Sequence, residues 1–96
     1  MRFSFNPLAE RELNDAAQYY ERESPGLGTA FLAEVEHSCR AIVEFPNAAP
    51  IVMDAVRRRL LRRFPYALLY SVRGGEIRIL AVMNLKRRPN YWTGRD

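Results

Sequence analysis

Residues 66–84 read YALLYSVRGGEIRILAVMN, two apolar runs separated by Arg73-Gly74-Gly75. Paired glycines supply the backbone angles that a two-residue hairpin turn demands, so the runs are expected to pair as antiparallel strands over Tyr66–Val72 and Glu76–Asn84. Strict alternation predicts that Ile77, Ile79, Ala81 and Met83 face one way, with Leu80 and Val82 facing the other. A strand apolar on both faces belongs in the middle of a sheet with both sides covered. Upstream, Phe64-Pro65 reads as a turn, and Arg57 to Phe64 as a charged strand leading into it. The segment Asn47–Asp54 has no period and reads as a connecting loop.

The N-terminal half changes period. After a short strand at residues 2–5, Asn6-Pro7 combines a side-chain cap with a residue suited to the first helical turn. Ala9, Leu13, Ala16, Ala17 and Tyr20 then recur at helical spacing, to an end near Glu23. Ser24-Pro25 repeats the start signal, and Leu27, Phe31, Val35, Cys39 and Ile42 carry a second stripe that stops before Pro46. Two amphipathic helices joined so closely form an antiparallel hairpin. The expected fold is α+β, in the order β-α-α-β-β-β, with the hairpin packed on a mostly antiparallel four-stranded sheet. The whole chain, residues 1–96, is expected to be one domain.

Composition narrows the function. A hydrophobic fraction of 48% suits a folded globule. No apolar run approaches the ~18 residues that span a bilayer, and no leader-like run opens the sequence. Cys39 is the only cysteine and His37 the only histidine, so neither a disulfide nor a nitrogen/sulfur metal site is expected, and the chain reads as cytoplasmic. His37 lies among acids on the second helix, and Cys39 falls on its apolar stripe. No Ser/His/Asp arrangement, carboxylate pair or glycine-rich phosphate loop appears, and no cofactor is expected.

Charge is the informative property. Residues 1–54 hold four arginines against nine acids, a net −5; residues 55–96 hold eleven basic residues against Glu76 and Asp96, a net +9. Two runs concentrate this charge: Arg57, Arg58, Arg59, Arg62 and Arg63, and then Lys86, Arg87 and Arg88, followed by Tyr91 and Trp92. On a continuous strand Arg57, Arg59 and Arg63 share one face, and Arg58 and Arg62 the other. Guanidinium groups this crowded repel one another unless anions neutralise them, and their planar forks match phosphates or carboxylates. A strand edge guarded by charge is the structural alternative. Basic residues interleaved with aromatics can hold a nucleic-acid strand; Trp92 equally reads as a clasp pinning the tail to the domain.

The order and spacing of Phe5-Asn6-Pro7-Leu8-Ala9, Ala17-Gln18-Tyr19-Tyr20, Ser24-Pro25-Gly26-Leu27-Gly28, Phe31-Leu32-Ala33-Glu34-Val35, Pro46, Val56-Arg57-Arg58-Arg59-Leu60, Arg63-Phe64-Pro65-Tyr66, Tyr70 and Ile79-Leu80-Ala81-Val82 resemble the RelE/ParE superfamily of toxins from bacterial toxin–antitoxin pairs. The resemblance covers nearly the whole chain. It implies a growth-inhibiting toxin held inactive in a hetero-oligomer by a cognate antitoxin, whose acidic C-terminal segment wraps the hairpin and sheet. Two targets occur in the superfamily. RelE-like members cleave mRNA on the ribosome, which would make Arg59, Arg63, Arg88 and Tyr91 the candidate catalytic residues; ParE-like members, of the plasmid stabilisation type, inhibit DNA gyrase. Asn84 stands near where many nuclease relatives carry a histidine, and only one lysine is present. The ParE-like reading is therefore expected, with Arg57, Arg58, Arg59, Arg62, Arg63, Lys86, Arg87, Arg88, Tyr91 and Trp92 as the residues meeting target or antitoxin. A ribosome-dependent endoribonuclease, or a degenerate member that only binds, are the alternatives.

Overall fold

The computed structural model describes residues 2–96. Strand β1 (Arg2–Phe5) leads into helix α1 (Pro7–Glu23), and helix α2 (Leu27–Glu44) returns antiparallel to it. Four strands follow: β2 (Ile51–Met53), β3 (Val56–Leu60), β4 (Tyr66–Arg73) and β5 (Glu76–Asn84). They form one sheet in the order β1-β5-β4-β3-β2, antiparallel throughout except where β1 runs parallel to β5. The α+β class and the helical hairpin are as the sequence predicts. The strand count differs, because three residues of the expected loop, Ile51–Met53, pair with β3 as an edge strand. Three residues are too few to show an alternation, so this strand leaves no periodic trace.

Local chemistry sets the element ends. The Asn6 side chain accepts from the Leu8 N–H at 2.7 Å, and Pro7 occupies the first helical position of α1. The second helix starts at Leu27 rather than at Ser24-Pro25: Ser24 closes α1 by donating its N–H to the Tyr20 carbonyl. The free N–H groups at the start of α2 are met by Glu21, whose carboxylate accepts from Gly26 and Gly28. These backbone hydrogen bonds, the one from Gly26 first, hold the Glu21 carboxyl below its ordinary pKa. Gly28 also sets how closely the helices approach, since a Cβ there would lie 2.4 Å from the Ala17 carbonyl oxygen. Gly74 and Gly75, both at positive φ, close the β4–β5 hairpin in two residues, as predicted.

The helices cover one face of the sheet. Ala9, Ala16 and Ala17 of α1 and Phe31, Val35, Cys39 and Ile42 of α2 pack with Leu68, Tyr70, Ile77, Ile79 and Val82. Tyr20, Phe31, Phe64 and Tyr66 make an aromatic cluster at one end, with ring centroids 4.8 to 6.1 Å apart. A second cluster lies on the opposite face, where Trp92 covers Ala67, Leu69, Ala81 and Met83. The predicted facing of β5 is corrected by a bulge. Tyr70 pairs with Ile79 but Leu69 pairs with Ala81, so Leu80 is an extra residue and the alternation shifts after it. Ala81 and Met83 thus leave the face of Ile77 and Ile79, and Val82 joins it.

The expected strand from Arg57 to Phe64 ends instead at Leu60. Beyond it, the Glu34 carboxylate of α2 accepts the backbone N–H groups of Arg62 and Arg63, turning the chain away from the ladder while Leu61 and Phe64 become buried. The other edge ends as abruptly. Asn6 N–H still reaches the Ile79 carbonyl, but α1 then departs, and β5 runs on to Asn84 without a neighbouring strand. Its exposed groups are met by side chains: Val82 N–H donates to Glu12 Oε1 at 3.0 Å, and Arg95 donates to the Leu80 carbonyl at 3.1 Å. Arg95 and Glu12 are joined at 2.9 and 3.2 Å, and the Tyr91 hydroxyl donates to Glu12 Oε2 at 2.6 Å. One carboxylate thereby ties α1, β5 and the C-terminal tail together.

Two outcomes follow from these contacts. Glu12→Gln would leave a single acceptor oxygen and, in either orientation of the amide, set N–H groups against the Arg95 guanidinium. Side-chain exposures of 18% for Glu12 and 14% for Arg95 leave little water to compensate. Urea unfolding is expected to show a loss of about 2–3 kcal/mol. For Glu21, a folded pKa below the unfolded one contributes stability that is present above the unfolded pKa and lost as pH falls through the folded one. The melting-temperature gap between wild type and Glu21→Gln should therefore be widest near neutral pH and close as pH falls below about 4.

Candidate partner-binding surface at one end of the sheet

The two basic runs lie some twenty-five residues apart in sequence, and the topology brings parts of both to one end of the sheet. Pairing of Tyr66 with Asn84 puts the β3–β4 connection beside the turn that follows β5. The Leu85 N–H donates to the Pro65 carbonyl at 2.9 Å and joins the two turns directly. The second turn is shaped by Asn84, whose carbonyl accepts from the Arg87 N–H and whose side chain accepts from the Lys86 N–H, each at 2.9 Å. Arg62 and Arg63 on one turn, and Lys86, Arg87 and Arg88 on the other, are all exposed. Apolar side chains are also exposed where each turn begins, Leu60 at 55% at the end of β3 and Leu85 at 46% just after β5. Exposed cations together with exposed apolar side chains make a surface suited to an acidic partner.

The remaining candidates are placed differently. Arg57 faces the helices and donates to the carbonyls of Asn47 and Ala49 at 3.0 and 2.7 Å, so it fastens the α2–β2 connection. Arg59 shares that face, as alternation predicts, and is half-buried; its Nε is buried with no acceptor among the described residues. Both arginines lower the pKa of Tyr70, although burial dominates and leaves that phenol raised. Arg58 is exposed on the opposite face. Arg63 does not continue the face of Arg57 and Arg59, because the strand has ended and its guanidinium lies 5.6 Å from the Phe64 ring centroid.

At the tail, Trp92 is 4% exposed and is the clasp on the second core, leaving no indole face for a partner. Tyr91 is held between two guanidinium groups, Arg87 at 4.1 Å and Arg95 at 5.0 Å from its ring centroid. Its phenol is pushed well above the ordinary range, by burial first and then by the hydrogen bond to Glu12. His37 is exposed on α2. Cys39 is buried, and its thiol is pushed up to about 12 by that burial and by Glu36. Among the described residues no three His, Cys, Asp or Glu side chains come together as a metal site, and no helix is long and apolar enough to cross a membrane.

Glu12 and Arg95 are the participants that sequence reading did not find. A signal for Glu12 exists: it lies three residues after Ala9 and four before Ala16, inside the apolar stripe of α1. A carboxylate at a core-facing position requires partners. Nothing comparable marks Arg95.

Comparison with known proteins agrees with this architecture. The family model described as the ParE toxin of the type II toxin–antitoxin system, parDE, matches residues 3–89. Among solved structures, the fold is similar to a chain of the chromosomal ParDE TA system from P. aeruginosa, with a TM-score of 0.79 at 20% identity, covering 90% of this chain and 97% of that one. No curated protein matches. A match over nearly the whole length, on a fold of the same kind, places this chain in the ParE toxin family of type II toxin–antitoxin systems.

Proposed function

We propose that the chain arrests growth by binding DNA gyrase through the basic end of its sheet, and that a cognate antitoxin neutralises it. The observation that carries this reading is the joining of Arg62 and Arg63 with Lys86, Arg87 and Arg88 into one exposed surface. Such a surface binds by charge and shape and needs no catalytic group. The site offers poor support for RNA cleavage. Deprotonating a 2′-hydroxyl requires a base poised near neutral pH. Tyr91 keeps its proton on Glu12, Asn84 cannot titrate, and Arg57 is committed to backbone carbonyls.

The antitoxin reading rests on family membership and on this chain's exposed basic surface and apolar groove. An acidic antitoxin segment would neutralise the same arginines. An apolar groove of about 540 Å³, between β1 and the helices and lined by Phe3, Phe5, Leu13, Leu32 and Val43 among others, would receive its hydrophobic side chains. Toxin and antitoxin would then form a hetero-oligomer in the cytoplasm, and antitoxin and target would compete for overlapping cations.

Purified protein is expected to block supercoiling by gyrase while leaving translated mRNA intact. Replacing Arg62 and Arg63 by Glu, or Arg87 and Arg88 by Glu, should each weaken the inhibition at least ~10-fold, as losing one or two interfacial charge contacts would. Codon-linked mRNA cuts that disappear in Arg88→Ala or Tyr91→Phe, with supercoiling untouched, would instead establish the nuclease.

A further inference from the structure

Beside the basic turns lies a small cleft that shares Arg87 with the proposed gyrase-binding surface. It measures about 250 Å³ and is lined by Glu12, Asp15, Ala16 and Tyr19 of α1, Tyr66 of β4, Val82 and Asn84 of β5, and Arg87 and Tyr91. That is below the ~300 Å³ at which sites for drug-sized ligands begin, so the cleft suits one planar ring system. Its walls are aromatic: three tyrosines line it, with the Arg87 guanidinium lying over Tyr91. Tyr19 is 50% exposed, so its ring is open to a ligand.

The polar groups in the cleft differ in what they have left to give. Glu12 is spent on Val82, Tyr91 and Arg95. Asp15 is exposed and has no hydrogen-bond or ion-pair partner among the described residues. The Tyr66 hydroxyl accepts from Asn84 Nδ2 at 3.4 Å and donates to none of the described residues. A ligand would therefore find one free carboxylate and one free hydroxyl proton within reach of stacking surfaces. A partner's lysine or arginine would fit a tyrosine cage of this size. It would, however, approach past Lys86, Arg87, Arg88, Arg62 and Arg63, and be repelled. The ligand these charges admit carries anionic groups outside the cleft and a neutral ring with N–H donors inside it.

We propose that the cleft is a single-nucleobase pocket for a nucleic-acid strand, selective for guanine. The base stacks on Tyr19 and on the Arg87–Tyr91 pair, and the flanking phosphates lie on Lys86 and Arg88. Guanine is favoured because its ring N–H and exocyclic amine stand side by side and match both oxygens of Asp15. Thymine offers one N–H between two carbonyls, which the carboxylate repels.

Fluorescence anisotropy at low salt, with labelled hexanucleotides that are all thymine or carry a single guanine, and their ribonucleotide counterparts, tests this directly. The guanine strand is expected to bind the intact chain ~10-fold tighter than the thymine strand, the size of one good bidentate base contact. Asp15→Ala should reduce that preference to within about twofold without changing the melting temperature, while Lys86→Ala should weaken both strands alike. A guanine preference in either the deoxy or the ribo series supports the pocket. Equal affinities in both series, a preference that survives Asp15→Ala, or no binding to either strand would overturn it. No topoisomerase is present, so failure here is separate from failure of the gyrase reading.

Discussion

The structure depends on one carboxylate. Strand β1 stops at Phe5, four residues into its pairing with β5, yet β5 continues for five residues more. That stretch would expose unpaired backbone groups at the sheet edge, an invitation to aggregation. Glu12 and Arg95 stand in for the missing strand, one accepting from Val82 and the other donating to Leu80. Because the pair is largely buried, its partners must all be present, and they are: two backbone groups, the Tyr91 phenol and the ions themselves. The same contacts fix the tail, and the tail carries Trp92 across to the far face of the sheet.

This arrangement explains why so basic a surface is tolerated. The cations of the two turns are solvent-exposed and screened, so their mutual repulsion is modest in water and salt. The turns are held from beneath by contacts that spend no guanidinium: Glu34 takes backbone N–H groups of the first, and Asn84 and Pro65 organise the second. Arg63 and Arg87 rest against the Phe64 and Tyr91 rings, and the basic heads of the two turns make no hydrogen bond among the described residues. Among the described residues, Arg57, Arg78 and Arg95 donate to backbone carbonyls inside the fold, those of Asn47 and Ala49, of Phe5 and of Leu80 respectively.

Much of this was legible in the sequence, for physical reasons that differ by element. Both helices follow from apolar residues at helical spacing, and the β4–β5 hairpin follows from Gly74-Gly75. What escaped depends on long-range contacts. The bulge at Leu80 breaks an otherwise regular alternation, and β3 ends at Leu60 because Glu34, on another element, claims the next backbone N–H groups. Strand β2 is too short to carry a period. At the candidate site, the residue types were readable but their grouping was not. The Arg57–Arg63 run divides between the helix-side face, the opposite face and the end of the sheet, and only tertiary structure sets Arg62 and Arg63 beside Lys86, Arg87 and Arg88.

That grouping is the central claim: two turns distant in sequence act as one contact surface. Amide hydrogen exchange of the chain, free and bound to gyrase, tests it most directly. The account predicts that binding slows exchange together at residues 61–66 and 85–88, with the exposed side of α2 around His37 unchanged. Protection confined to one turn, or found only on the helices, would contradict it.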